Sequence, residues 1–256
     1  MIELLDVSAG YGGVPILEHV TLSFPEGSVT AFLGPNGCGK STLLKTALGL
    51  LPRLAGRILY DGTDLDTLSP REIARRAAYL CQSRNVPSIT AERMVLHGRV
   101  PYLSYPRRYR REDRDAVQEA LRMTGSLDLA GRPMGELSGG QRQKIYLSMA
   151  LAQDTPAILM DEPTTYLDVH HQLEFMETAG DLARSGKAVV MVLHDLGLAL
   201  RYAGRVAVLT PGGCVRAGTP EEIFSAGVLD RVFGVNVRRV PSGDGWHYYC
   251  ESRKEP

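Results

Sequence analysis

One tryptophan, four cysteines and no excess of either charge set the first limits on this 256-residue chain. Cys38, Cys81, Cys214 and Cys250 are far apart, with neither a C-x-x-C pair nor a zinc-ligand spacing. Such thiols read as reduced, in a reducing compartment. Lys plus Arg and Asp plus Glu both number 29, which argues against a bulk affinity for nucleic acid or anionic lipid. The longest apolar runs, such as 188–193, fall far short of a membrane span. The start, Met1-Ile2-Glu3-Leu4-Leu5-Asp6, has acids where a signal peptide would carry bases. Internal repeats and low-complexity segments are absent. These absences leave a soluble, cytoplasmic-type chain, long enough for one large domain or a core with a lobe.

What is there begins with Gly34-Pro35-Asn36-Gly37-Cys38-Gly39-Lys40-Ser41, which satisfies G-x-x-x-x-G-K-[ST] without a gap. Glycines let a backbone curl so that successive amides face the oxygens of a triphosphate. Lys40 then reaches the β- and γ-phosphates, Ser41 offers a hydroxyl to Mg²⁺, and the following helix presents its positive N-terminus. Residues 28–33 read as a strand entering this loop. Ser41-Thr42-Leu43-Leu44-Lys45 reads as a helix leaving it, ending near Pro52. Cys38 has two readings: an inert small filler, or a thiol whose pKa the phosphate-binding amides lower.

Upstream, residues 2–7 and 15–24 alternate as strands around the turn Gly10-Tyr11-Gly12-Gly13. A strand over 57–60, a short helix over 70–76 and a strand over 77–81 follow, the last ending at Gln82. From about 83 to 155 no strand is convincing. Helical spacing appears over 90–97, 111–124 and 141–152, so we read a helical lobe inserted into an α/β core. Its basic cluster, Arg107 to Arg111, is followed at once by Glu112, Asp113 and Asp115, as in a solvated loop and helix start. Strands over 157–161 and 188–193, with a helix over 172–184 between them, form a βαβ unit of a sheet buried on both faces. A strand over 205–210, a polar hairpin from Pro211-Gly212-Gly213 and helices near 220–224 and 228–233 complete the core. The tail from Val237 adds two short strands with no assignable chemistry.

Asp161-Glu162 closes an apolar strand, where open α/β sheets bind ligands. Asp161 suits Mg²⁺, which takes few carboxylates and several waters, and Glu162 can act as general base on the attacking water. Leu137-Ser138-Gly139-Gly140-Gln141 supplies a second hydroxyl and two bare amides before a helix, a second anion site. One nucleotide has no use for two cradles unless another copy donates one.

With these residues, the chain resembles the nucleotide-binding subunit of an ABC transporter. The resemblance implies a P-loop NTPase (RecA-like) α/β fold with an N-terminal antiparallel β subdomain and an inserted α-helical subdomain. Residues 1–82 and 156–235 would form the core, 83–155 the lobe and 236–256 a tail. It implies ATP and Mg²⁺ as cofactors, with Ser41, Gln82 and Asp161 on the metal. Glu162, His194, Gln82 and Lys40 would be catalytic. Tyr11 would stack on adenine, while residues 34–41 and Thr42 bind the phosphates. A second copy, docked head-to-tail, would contribute Ser138, Gly139, Gly140, Gln141 and, through Leu167-Asp168, a loop across the interface. Two permease subunits and a periplasmic or surface substrate-binding protein would complete the assembly at the cytoplasmic face of the membrane, with no nucleic acid involved.

His97-Gly98-Arg99-Val100-Pro101-Tyr102 and Thr164-Thr165-Tyr166-Leu167-Asp168, with His171-Gln172 behind, resemble cassettes of iron–siderophore, haem and vitamin B12 importers. Ferric-siderophore members match best. Lys144 and Leu80-Cys81 depart from the usual residues without touching the proposed chemistry. A rival is a soluble ABC ATPase of DNA repair or translation. Repair members carry long coiled-coil or zinc insertions, whereas residues 83–136 are few and lack heptads; translation members usually carry two cassettes.

Overall fold

The computed structural model describes residues 1–82, 86–165, 167–243 and 245–253. Strands β1 (Ile2–Tyr11) and β2 (Val14–Phe24) form an antiparallel hairpin, and β3 (Ser28–Leu33) runs into the glycine-rich loop. Helix α1 (Lys40–Ala47) leaves the loop. It stops short of Pro52 because Gly49, at φ +66°, turns the chain into the left-handed region. The Leu50 amide then folds back onto the Lys45 carbonyl at 2.9 Å.

Strand β4 (Arg53–Tyr60) pairs with β1, and β5 (Thr63–Asp64) pairs with β4. β4 is longer than its sequence pattern implied. Gly56, at φ +84°, lets the backbone pass against Asp6, and this irregularity hides the strand's first half. Next come α2 (Pro70–Ala74) and β6 (Ala77–Leu80). Then follow three helices, α3 (Ala91–Leu96), α4 (Arg111–Met123) and α5 (Gly139–Ala152), with no strand among the described residues between β6 and residue 156.

The chain returns to the sheet with β7 (Ala157–Asp161), α6 (Val169–Arg184), β8 (Ala188–Val192), α7 (Leu196–Tyr202) and β9 (Arg205–Thr210). It ends in β10 (Gly213–Gly218), α8 (Pro220–Ser225), α9 (Val228–Phe233) and the hairpin β11 (Val235–Ser242) with β12 (Gly245–Ser252). This hairpin starts earlier than the sequence suggested. It pairs eight residues with eight and packs on α7.

The central sheet has the order β10-β9-β3-β8-β7-β6, parallel throughout except for the β10 edge. Alternate residues of each inner strand go to opposite faces. Ile158, Met160, Val189, Met191, Val206 and Val208 join the core shared with α5, α6 and α7. Leu159, Val190, Val192, Ala207 and Leu209 join the core shared with α1, β1 and β2. Two-sided burial is why these strands read as unbroken apolar runs.

Polar contacts around Gly98 to Tyr102 hold the lobe together and fasten it to α2. Arg99 Nε donates to Asp113 Oδ1 at 3.0 Å and Nη1 to the Ala152 carbonyl at 2.9 Å, and both side chains are nearly buried. Arg99 also lies 4.0 Å from the centre of the Tyr102 ring. From the core side, Arg71 donates to the carbonyls of Pro101 and Leu103 at 2.7 and 2.6 Å. Removing the guanidinium would leave Asp113 buried without its countercharge. Arg99→Met is therefore expected to lower stability by about 3 to 5 kcal/mol, read as a drop in the urea midpoint.

Candidate functional site

Four neighbouring parallel strands end at the same edge of the sheet, and each delivers one part of the site. β3 gives the loop, β6 gives Gln82, β7 gives Asp161 and Glu162, and β8 leads through Leu193 to His194. Together they border a cleft of about 440 Å³ lined by Asn36, Gly37, Gly39, Lys40, Ser41, Thr42, Gln82, Glu162 and His194, with Ile16 of β2 as an apolar wall. Ile16 was not singled out in the sequence; its only signal was its place just after the Gly12-Gly13 turn.

The loop has glycine where nothing larger fits. Gly39 sits at φ +100°, and a methyl there would lie 2.7 Å from Leu17 Cγ. A methyl on Gly34 would lie 2.2 Å from the Leu209 carbonyl oxygen. Lys40, nearly buried, donates to the carbonyls of Gly34 at 2.7 Å and Pro35 at 2.9 Å, so its ammonium is held inside the curl of the loop.

At the cleft floor Ser41 Oγ donates to Asp161 Oδ1 at 2.7 Å. The hydroxyl of Tyr79 donates to Asp161 Oδ2 at 3.3 Å, a support that sequence reasoning missed although Tyr79 lies on the strand beside β7. Asp161 is only 2% exposed. Beside it, Glu162 adopts φ +50°, a left-handed conformation that non-glycine residues hold at a cost and that clusters at functional sites. Its carboxylate is gripped from both sides. Gln82 Nε2 donates to Oε2 at 2.5 Å, His194 Nε2 meets Oε1 at 2.7 Å, and Thr165 Oγ1 donates to Oε2 at 3.3 Å.

The residue chemistry fits Mg²⁺ rather than a caged transition metal. One hydroxyl and one carboxylate lie at hydrogen-bond distance at the cleft floor, and no cluster of three metal-ligating side chains exists among the described residues. Few protein ligands, leaving room for water and phosphate oxygens, is the pattern Mg²⁺ prefers.

Other sequence candidates lie elsewhere. Tyr11 is half-exposed at the end of β1 and does not line the cleft. Ser138, Gly139, Gly140 and Gln141 open α5 and do not line the cleft, although Gly139 borders the neighbouring hollow that Gln82 and Glu162 share. Ser138 and Gln141 form a reciprocal cap: Ser138 Oγ accepts from the Gln141 amide at 3.2 Å, and Gln141 Oε1 accepts from the Ser138 amide at 3.0 Å. Asp168 caps α6 and does not reach its own chain's cleft. The amide and ring of His171 hold its carboxyl below the usual carboxylate range. Tyr166, part of the segment singled out in the sequence, lies outside the described residues.

Of the two readings of Cys38, its environment favours the inert filler. The thiol is fully buried, and desolvation pushes its pKa up, outweighing the nearby Lys40 charge; the lowered pKa is not what this environment produces. Of the four thiols, exposed Cys250 should alkylate first and Cys38 only on unfolding, as a peptide-mapped time course of iodoacetamide labelling with and without denaturant would reveal.

The family model described as ABC transporter matches residues 17–165. The ferric enterobactin transport ATP-binding protein of Escherichia coli strain K12 is 41% identical over 231 residues, covering 90% of this chain and 85% of that protein. The hemin import ATP-binding protein of Nocardia farcinica is 42% identical over 219 residues, covering 85% of this chain and 75% of that protein. A dimeric bacterial ABC transporter cassette superposes with a TM-score of 0.74 at 29% identity, covering 86% of this chain and 99% of that one.

Proposed function

The chain belongs to the ABC transporter ATPase family, and from that premise we propose that it is the ATP-hydrolysing subunit of an importer of iron(III)–siderophore complexes. One observation carries the enzymatic part: the Glu162 carboxylate is fixed between Gln82 and His194 at the mouth of a glycine-rich phosphate cleft.

In this reading the loop amides and the N-terminus of α1 hold the phosphates, and Lys40 exchanges its two loop carbonyls for β- and γ-phosphate oxygens. Ser41, Asp161 and Gln82 would hold Mg²⁺, and the ion would supply neutralisation of the phosphate charge. Tyr79 keeps the second oxygen of Asp161 in place. Glu162 takes a proton from the attacking water, and Gln82 and His194 keep its carboxylate aimed. His194 also lies close enough to the cleft to contact the γ-phosphate. Adenine lies toward the β1–β2 turn, where Tyr11 has the exposure needed to stack on it.

The site is half-built in one chain. Ser138, Gly139, Gly140 and Gln141 offer a hydroxyl and amides to an anion, yet none of them lines the chain's own cleft. A head-to-tail second copy brings them onto its partner's ATP, and Asp168 with them. Two bound nucleotides then close the dimer and hydrolysis opens it. The lobe, residues 83–155, grips the permease pair and turns closure into transport. No helix among the described residues is long and apolar enough to cross a membrane, so membrane attachment is peripheral, through the permease at the cytoplasmic face. The cargo itself is read by the permease and a substrate-binding protein.

The cargo reading rests on relatives such as the ferric enterobactin protein. The hemin import protein, equally similar, keeps haem as the second reading. Co-expression with a co-purifying permease and uptake of labelled iron, offered as siderophore complex or as haem, separates the two. Siderophore-only uptake supports the first reading; haem-only uptake overturns it. For the chemistry, Glu162→Gln is expected to cut steady-state turnover by roughly 10² to 10⁴ while ATP binding is retained and the ATP-bound dimer persists. Undiminished hydrolysis in that variant would remove Glu162 from the role of base.

A further inference from the structure

Two surface segments outside the phosphate cleft, residues 138–141 and 168–171, meet at one side chain. Asp168 Oδ1 accepts the His171 amide at 2.9 Å and faces the His171 ring at 2.8 Å; because a carboxylate can only accept, ring Nδ1 is the donor. The far side of the same ring lies over Gly140. A methyl built on that glycine would sit 3.3 Å from Cδ2 and 3.5 Å from Cγ and Nε2. Behind this contact, α5 is tied once to the segment that follows β7 and once to α6. Gln143 Nε2 donates to the Pro163 carbonyl at 2.7 Å, and Lys144 Nζ pairs with Glu174 Oε1 at 2.7 Å. Gln172 Nε2 donates to the Leu167 carbonyl at 3.0 Å, which fixes the entry to α6.

Each segment alone is an exposed helix start. Docked separately onto another molecule, each would lose its own conformational freedom on binding; packing one against the other removes part of that cost beforehand. A glycine at 140 leaves space for the ring, and a donor at the δ position of residue 171 reaches Asp168. The arrangement uses both ends of one side chain to join loops that sequence separates by nearly thirty residues.

We propose that His171 is a positioning residue that locks Asp168 to Gly140, so that both segments enter a second copy's nucleotide site as one rigid unit. The inference rests on the head-to-tail dimer proposed above. His171 itself touches neither nucleotide nor reacting atoms.

The test uses the full chain in a Glu162→Gln background, adding His171→Ala or His171→Asn. Two quantities are read: affinity of the monomer for a fluorescent ATP analogue, and the ATP-dependent monomer–dimer constant by sedimentation. Because a two-fold dimer contains the contact twice, His171→Ala is expected to weaken dimerisation roughly tenfold while monomer affinity holds. His171→Asn keeps a donor near the Nδ1 position but not the ring that lies over Gly140, so it is expected to leave most of the loss in place. Unchanged dimerisation in His171→Ala overturns the inference. So does an equal loss of monomer affinity, which marks a general structural role, or full recovery with Asn, which shows that the bond to Asp168 suffices without the contact at Gly140. If the parent variant itself forms no ATP-dependent dimer, the head-to-tail reading falls first and this inference with it.

Discussion

The site depends on parallel pairing. β3, β8, β7 and β6 lie side by side in register, with Phe32 opposite Val192, Val192 opposite Asp161, and Met160 opposite Leu80. Parallel strands all point the same way, so the residues that follow their last pairs emerge along a single edge. The glycine-rich loop, Gln82, Asp161 with Glu162, and His194 come from four distant parts of the sequence. They converge because the sheet permits no other exit. The bulk of the apolar burial serves this alignment: a one-residue slip of β7 would turn Asp161 and Glu162 to opposite faces and break the bond from Ser41.

How legible this was in the sequence varied with the range of the interaction. The loop, the two acids after β7 and the histidine after β8 could be read directly, because each is a local pattern beside a strand whose two-sided burial leaves an unbroken apolar run. Helices opened by Ser, Thr or Asp were also visible, though their bounds moved by a few residues. α6 begins at Val169 because Asp168 caps it, where periodicity alone suggested Gln172. The first half of β4 was hidden because Gly56 interrupts the alternation that marks a strand.

What could not be read was environment. Cys38 is next to amides and two residues from Lys40, and either fate for its thiol was consistent with that neighbourhood. Burial decided it, and burial is contributed by residues far along the chain, among them Leu17 and Leu209 of the same core cluster. The left-handed turn at Glu162 was equally invisible, since no residue type announces that a carboxylate must be re-aimed at the end of its strand. Tyr79 and Ile16 entered the site through neighbouring strands, with no motif of their own. The G-R-x-P-Y segment could be matched by likeness, but its physical role lay in backbone carbonyls: Arg71, Arg99 and Tyr102 bind main-chain oxygens whose position only the fold defines.

Lys40 illustrates how such an arrangement governs affinity. Its ammonium is almost sealed from water yet fully engaged, bonded to two carbonyls of the loop it closes. Burying that charge without partners would be prohibitive, so the loop carries its own acceptors. A triphosphate therefore does not simply add an ion pair. In the proposed function it would replace two short hydrogen bonds to neutral carbonyls with stronger ones to charged oxygens, and only the difference would appear as binding. The same economy explains the glycines. With Gly39 against Leu17 and Gly34 against Leu209, the loop is shaped by contact with strands on either side and not by its own ligand.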